Sequence, residues 1–339
     1  MQNGDTMPNK VAPAFQAYKC QGALFRVLAN DFFKGNGVHA YLITGEAGIG
    51  KKTLARLCAK ALLCTEDEKP CGKCGACRRC ESGTHQDMIL LEREKDKMSI
   101  GTQAVRDMVS MVGRHSYEGG KRVVLIEDAE FLTPQAQNCF LKTLEEPFTD
   151  VVFLLVAKDA GKLLPTIVSR CRVLRLRPWE DEFLLSMLLE RGIEKDAALK
   201  AVLRASGNPS KAVAWASDMA FLELRTLVMQ NVFAVKSKSQ VLAVANQMKD
   251  EKLRAAAILD TIEDSIRELL LVQTGCLGEG VLADYPVCWQ VFAHEAQGAD
   301  FSYLFDKITI ARKQRENQVN WQVVFETLLI NMLEEASKW

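Results

Sequence analysis

The sequence has no net charge: its 43 lysines and arginines balance 43 aspartates and glutamates. Overall charge therefore gives no pull toward nucleic acid, and any such contact must come from a local patch. It has no apolar run near the roughly 20 residues that a membrane span needs, so no membrane partner is expected. Residues Met1 to Lys10 are polar and lack the apolar core of a secretory leader, which predicts a cytoplasmic protein. Internal repeats and low-complexity linkers are also missing. A hydrophobic fraction of 48% and a charged fraction of 25% are those of an ordinary globular protein. The length, 339 residues, suits two or three domains.

One absence is local. Gly45-Glu46-Ala47-Gly48-Ile49-Gly50-Lys51-Lys52-Thr53 lies between an apolar run, Val38 to Ile43, and a helical run, Leu54 to Leu63. Strand, glycine-rich loop and helix are the context of a phosphate-binding P-loop. Its glycines turn backbone N–H groups onto phosphate oxygens, and the helix adds the positive end of its dipole. Lys51 is placed to reach the outer phosphates. A working loop has Ser or Thr next, whose hydroxyl ligates magnesium. Here that position is Lys52, and the hydroxyl comes one residue late, at Thr53. One residue is about 100° of helix rotation, so Thr53 does not substitute. An ammonium opposes the ion's charge and has no lone pair to offer. The loop reads as the remains of a nucleotide site: ATP or ADP binding stays open, and hydrolysis is not expected.

Cysteine, in contrast, is plentiful. Of 11 in all, five are Cys64, Cys71, Cys74, Cys77 and Cys80. Thiolates at this spacing can converge on one ion, and four make the tetrahedral shell that zinc prefers. Cys71, Cys74, Cys77 and Cys80 form a compact set; Cys64, Cys71, Cys74 and Cys77 form a looped one. The run also resembles part of an iron–sulfur pattern. Spacing does not choose between them. A closed four-thiolate shell makes a structural metal the default.

A helix is expected over Ala14 to Phe33, ended by Gly35-Asn36-Gly37, after a loose lead-in over residues 1–13. Met88 to Leu91, Val123 to Ile126, Val151 to Val156 and Arg172 to Leu176 join Val38 to Ile43 as strands. Ile100 to Val112 reads as a helix with Val105, Met108, Val109 and Val112 on one face. A turn over Gly119 to Arg122 follows. The third strand ends in Glu127-Asp128, where a P-loop enzyme holds magnesium and polarises water. Thr133-Pro134 starts a helix that stops before Pro147 and repeats Ala136, Cys139, Phe140, Thr143 and Leu144 at helical spacing. A short helix is expected near Gly161 to Ser169. Five apolar strands separated by helices predict an α/β fold with a parallel, doubly wound sheet. After Pro178 only helices are expected: Asp181 to Arg191, Lys195 to Ala205, Ser210 to about Met219, then a helical run from Ala220. The stripes Leu259, Ile262, Ile266, Leu269 and Val324, Leu328, Met332 suit either a core or a partner's face.

Four further stretches stand out: His39-Ala40-Tyr41-Leu42, Gly83-Thr84-His85-Gln86-Asp87, Leu141-Lys142-Thr143-Leu144-Glu145-Glu146-Pro147 and Ser169-Arg170-Cys171. Through them the chain resembles the clamp-loader subunits of the AAA+ class, and the delta-prime type of bacterial DNA polymerase III among them. It covers about residues 14–215. It implies an AAA+ P-loop domain over 1–178 with a five-stranded parallel sheet and an inserted zinc module at 64–80. A helical lid over 179–218 and an all-helical collar for oligomerisation over 219–339 would follow. The looped set, Cys64, Cys71, Cys74 and Cys77, is the zinc set the resemblance implies, with Cys80 an extra. Arg170 falls on the arginine finger, which reaches the ATP site of a neighbouring subunit. Ser169 and Cys171 flank it.

The gamma/tau-type motor subunits end the third strand Asp-Glu, where this chain has Glu127-Asp128. They also carry a sensing arginine where this chain has Gly207-Asn208-Pro209-Ser210-Lys211. The resemblance thus implies a subunit with weak or absent ATPase of its own, within the polymerase holoenzyme. Its implied partners are gamma/tau and delta subunits in a hetero-pentamer, the sliding clamp, and primed DNA through the complex. The competing readings are an active gamma/tau-type ATPase and a redox protein built on the cysteines. Lysines and arginines over residues 93–122 could touch phosphate or form a solvated face.

Overall fold

The computed structural model describes residues 13–33, 37–94, 97–113, 116–118, 120–275, 285–296 and 299–338. The lead-in before residue 13, Gly35, Asn36 and Gly119 lie outside the described residues. The chain divides into two compact units, residues 1–212 and 213–339.

In the first unit, helices α1 (Pro13–Gln16) and α2 (Ala23–Leu28) precede β1 (Ala40–Thr44), α3 (Lys51–Leu63), α4 (Gly75–Glu81) and β2 (Met88–Leu91). Then come α5 (Thr102–Val112), β3 (Arg122–Ile126), α6 (Pro134–Glu145), β4 (Val151–Ala157), α7 (Pro165–Val168) and β5 (Arg172–Arg175). Helices α8 (Asp181–Glu190), α9 (Lys195–Ala205) and α10 (Pro209–Ser217) complete the run, and α10 crosses into the second unit.

The five strands form one parallel sheet in the order β2-β3-β4-β1-β5. Every residue of β1, β3 and β4 is buried. Continuous apolar runs suit this position, because a central parallel strand is covered on both faces. The edge strands β2 and β5 are more exposed, and β5 carries Arg172 and Arg175 outward, as edges commonly do. This is the α/β architecture expected from the sequence.

Thr133 caps α6 by accepting the Ala136 N–H at 3.2 Å, and Pro134 opens the helix where a missing N–H costs nothing. Ala136, Phe140, Thr143 and Leu144 are buried, and Phe140 meets Phe153 of β4 edge to face at 5.2 Å. Val105, Met108 and Val112 bury the facing side of α5. The helix expected over residues 14–33 is a correction. A 3-10 segment, Ala17–Gln21, ends at Gly22, whose φ of +53° turns the chain before α2, and a π-helical turn, Ala29–Phe33, follows.

Arg122 is also corrected. It opens β3 and is 3% exposed, so it is no candidate for phosphate. Its Nη2 lies 3.2 Å from Oδ1 of Asp87, itself 1% exposed. Asp87 also accepts the N–H groups of Tyr117 and Glu118 and the Ser116 hydroxyl, each at 3.0 Å. Burial works against the carboxylate, but these donors together with Arg122 outweigh it and hold its pKa below the ordinary value. Asp87→Ala would leave the buried Arg122 guanidinium without its carboxylate and the Tyr117 and Glu118 N–H groups without their acceptor. We expect it to destabilise the first unit by about 3–5 kcal/mol in urea titration. In the parent chain, Asp87 stabilises the fold above its ordinary pKa. That contribution is lost as pH falls through the lowered folded value, a loss the variant lacks.

The second unit is helical throughout its described residues, with α11 (Met219–Val232), α12 (Lys238–Gln247), α13 (Ala255–Gln273), α14 (Val287–Glu295), α15 (Ser302–Glu316) and α16 (Trp321–Ala336). Leu259, Ile262, Ile266 and Leu269 of α13 and Val324, Leu328 and Met332 of α16 are all buried in one cluster. Both stripes therefore form this unit's own core. Among the described residues, no helix is long and apolar enough to cross a membrane.

Candidate functional site

The P-loop leaves the carboxyl end of β1, the edge of a parallel sheet where such folds bind ligands. Gly45, Gly48 and Gly50 all have positive φ. At Gly48, a Cβ would lie 2.7 Å from Oδ1 of Asn208 and 2.9 Å from Cβ of Ser210, so only glycine fits. The loop's carbonyls are held by its own Lys51 and by residues outside it. Glu46 O accepts Lys51 Nζ at 2.7 Å, Ala47 O accepts Asn208 Nδ2 at 2.8 Å, and Gly48 O accepts Ser210 N at 3.2 Å. Ile49 O accepts Trp179 Nε1 and Gly50 O accepts the Tyr18 hydroxyl, both at 3.2 Å. Burial lowers the Lys51 pKa.

Lys52 settles where its charge goes. Its Nζ is 3.1 Å from Glu127 Oε2 and 3.0 Å from Asp128 Oδ2. Burial disfavours the ammonium, but the two carboxylates outweigh it and raise its pKa. Arg56 takes the other oxygen of Glu127, Nη2 to Oε1 at 2.9 Å. Glu127 is 2% exposed, and each of its oxygens meets a cation of this chain. Asp128 holds φ +57°, which aspartate tolerates better than most residues. Thr53 is exposed on α3. The structure thus brings together Lys51, Lys52, Glu127 and Asp128 but leaves Thr53 apart. Arg56 was missed, although its place four residues after Lys52 puts both on one helix face.

Ser169-Arg170-Cys171 stands apart from this group. It follows α7 and leads into β5, so it lies at the amino edge of the sheet. The P-loop lies at the carboxyl edge, the length of a strand away, about 16 Å for five residues. Arg170 is partly exposed: Nη2 meets Glu145 Oε1 at 2.7 Å and Nη1 meets Thr166 O at 3.0 Å. Cys171 is buried, and burial pushes its thiol up to about 12.

The sulfur atoms of Cys64, Cys71, Cys74 and Cys77 all lie within 4.8 Å of one another. Cys64 and Cys74 are 3.9 Å apart and Cys71 and Cys77 4.0 Å. A tetrahedron with metal–sulfur bonds of 2.3 Å has edges of about 3.8 Å, so the four fit a metal ion. Backbone N–H groups point at the sulfurs: Cys71 N at Cys64, Cys74 N at Cys71, and Cys77 N at Cys74, at 3.3 to 3.5 Å. Burial opposes the Cys74 thiolate, but backbone hydrogen bonds from Cys77 and Thr65 and the neighbouring Cys77 and Cys71 thiols outweigh it and bring its pKa to about 6. Cys80 lies outside the group, and burial pushes its thiol up to about 11. The structure therefore forms the looped set.

A family model described as DNA polymerase III, delta subunit, matches residues 20–180. DNA polymerase III subunit delta-prime of Haemophilus influenzae is 30% identical over 266 residues, 76% of this chain and 81% of that protein. The delta-prime subunit of Escherichia coli is 36% identical over 193 residues, 56% of this chain and 58% of that protein. The latter match thus spans little more than half of its relative. The tau subunit of DNA polymerase III from Escherichia coli is 37% identical over 164 residues, 48% of this chain and 25% of that protein.

Proposed function

The chain belongs to the DNA polymerase III delta-prime family, and from that premise we propose that it is a clamp-loader subunit that does not hydrolyse ATP itself. In this reading it works as a fixed wall of the loader, in the cytoplasm. It joins gamma/tau and delta subunits in a hetero-pentamer that sets a sliding clamp on primed DNA. Residues 179–218 serve as the lid and 219–339 as the collar.

The Lys52 ammonium on Glu127 and Asp128 carries this reading. A magnesium ion at this site needs oxygen ligands and an open position between phosphate and carboxylate. Lys52 supplies a fixed positive charge there, with no oxygen and no exchangeable water. The nucleotide-site residues Gly45, Gly48, Gly50, Lys51, Lys52, Thr53, Glu127 and Asp128 are then a relic that shapes the fold. Arg170 acts in trans: at the far edge of the sheet from its own P-loop, it is presented to a neighbour instead. The four cysteines hold zinc in a closed shell, which ties α3 to α4 and leaves no position for a substrate.

The isolated chain is expected to release no phosphate from magnesium ATP above background, with or without Lys51→Ala. The intact Gly50-Lys51 pair and the likeness to a tau subunit favour the competing reading, an active ATPase. Turnover that Lys51→Ala abolishes would establish that reading and end ours.

A further inference from the structure

The Leu141 to Pro147 run helps to identify the family, yet the nucleotide site uses none of it. Its place in the fold suggests what it does. Thr143 and Leu144 are buried and anchor the last turn of α6, and Glu145 is the final residue of that helix. Gln137, 4% exposed, ties α6 to the segment before α7. Its Oε1 accepts Leu164 N at 2.7 Å, and its Nε2 donates to Leu132 O at 3.1 Å and Lys162 O at 3.3 Å. The start of α6 is thereby tied to the segment that enters α7. At the other end of α6, Glu145 Oε1 takes Nη2 of Arg170 while Thr166 O takes Nη1.

We propose that Glu145 is a positioning residue for Arg170: it holds the guanidinium in the pose in which it meets a neighbouring subunit's nucleotide. This rests on the trans role of Arg170 proposed above. An arginine side chain has many rotamers, and a planar fork is useful only when its plane is set. Two anchors on separate helices set it, and the guanidinium's other N–H groups remain for phosphate oxygens. Losing Glu145 leaves one anchor, and the finger then samples poses that miss the developing charge. Both side chains are too exposed for the pair to matter much to folding.

The test is steady-state ATP turnover by the loader reconstituted with gamma/tau and delta subunits, in the presence of clamp and primed DNA. Glu145→Ala is expected to lower kcat roughly tenfold at the site Arg170 serves, the scale of a misplaced catalytic group. KM for ATP should stay within about twofold, because the neighbour's own residues bind the nucleotide. Glu145→Gln, which keeps an acceptor oxygen, should recover part of the loss. Arg170→Ala combined with Glu145→Ala should be no worse than Arg170→Ala alone, and thermal unfolding of the single variants should match the parent. Parental turnover for Glu145→Ala, beside an impaired Arg170→Ala, would overturn the positioning role alone. So would a Glu145→Ala loss that persists without Arg170. An unimpaired Arg170→Ala would remove the trans role itself, and the positioning role with it.

Discussion

Arg170→Ala is expected to lower ATP turnover at the site it serves by roughly a thousandfold, the lower end of what an arginine finger contributes to phosphoryl transfer. The bulk rate of the assembled loader should fall by at least that site's share, and further if the sites fire in sequence. Charge builds on the transferring phosphoryl oxygens in the transition state, so a guanidinium aimed there stabilises the transition state more than the bound substrate. Arg170 cannot do this for its own P-loop, because it enters β5 at the amino edge of the sheet and the P-loop leaves β1 at the other. Arg170→Lys should rescue little: a point charge lacks the planar fork and the anchors at Glu145 and Thr166. The variant chain alone should unfold at the parental temperature, since its ion pair is half exposed. The measurement is phosphate release by the reconstituted loader, and turnover equal to the parent's would exclude the trans role.

The parts of this molecule that the sequence reveals are those that depend on neighbours along the chain. Continuous apolar runs mark the central strands because a parallel sheet buries both faces, and polar residues stand only at strand ends, Arg122 opening β3 and Thr44 closing β1. The displaced hydroxyl at Thr53 is equally plain, because a P-loop is defined by spacing. What the sequence conceals depends on chain segments meeting from afar. Arg122 reads as the end of a turn in a basic region, yet Asp87, 35 residues earlier, draws it into the interior. Lys52 is visibly out of place, but that Glu127 and Asp128 both receive it follows only once β3 lies beside α3's start. Glu145 and Arg170 sit in two separate motifs, 25 residues apart, and nothing in either motif says that they touch. The break at Gly22 was hidden for another reason. Glycine is tolerated inside helical patterns, so periodicity alone carries straight through it.

Cys77→Ser is expected to empty the metal site, while Cys80→Ser leaves it filled. Both residues lie on α4 and both are buried, so any general cost of removing a buried thiol is shared. They differ in geometry: Cys77 joins the four sulfurs within 4.8 Å, and Cys80 does not. A structural zinc ion in a complete shell contributes on the order of 10 kcal/mol of apparent binding free energy at neutral pH, which is also folding free energy for the segment around it. With three thiolates the shell opens, and metal added back to the variant should be stripped by a chelator that leaves the parent intact. Residues 64–80 should then become the first site of proteolytic cleavage, as a locally unfolded segment would. The sheet should survive, because its buried strands contribute none of the four ligands. Protein purified without oxygen should contain about one zinc per chain, with neither iron nor acid-labile sulfide, as a single closed tetrathiolate shell requires. Iron with sulfide would replace the structural role by a redox one, and equal metal loss in both serine variants would show that the ligand set is not the four sulfurs that lie together.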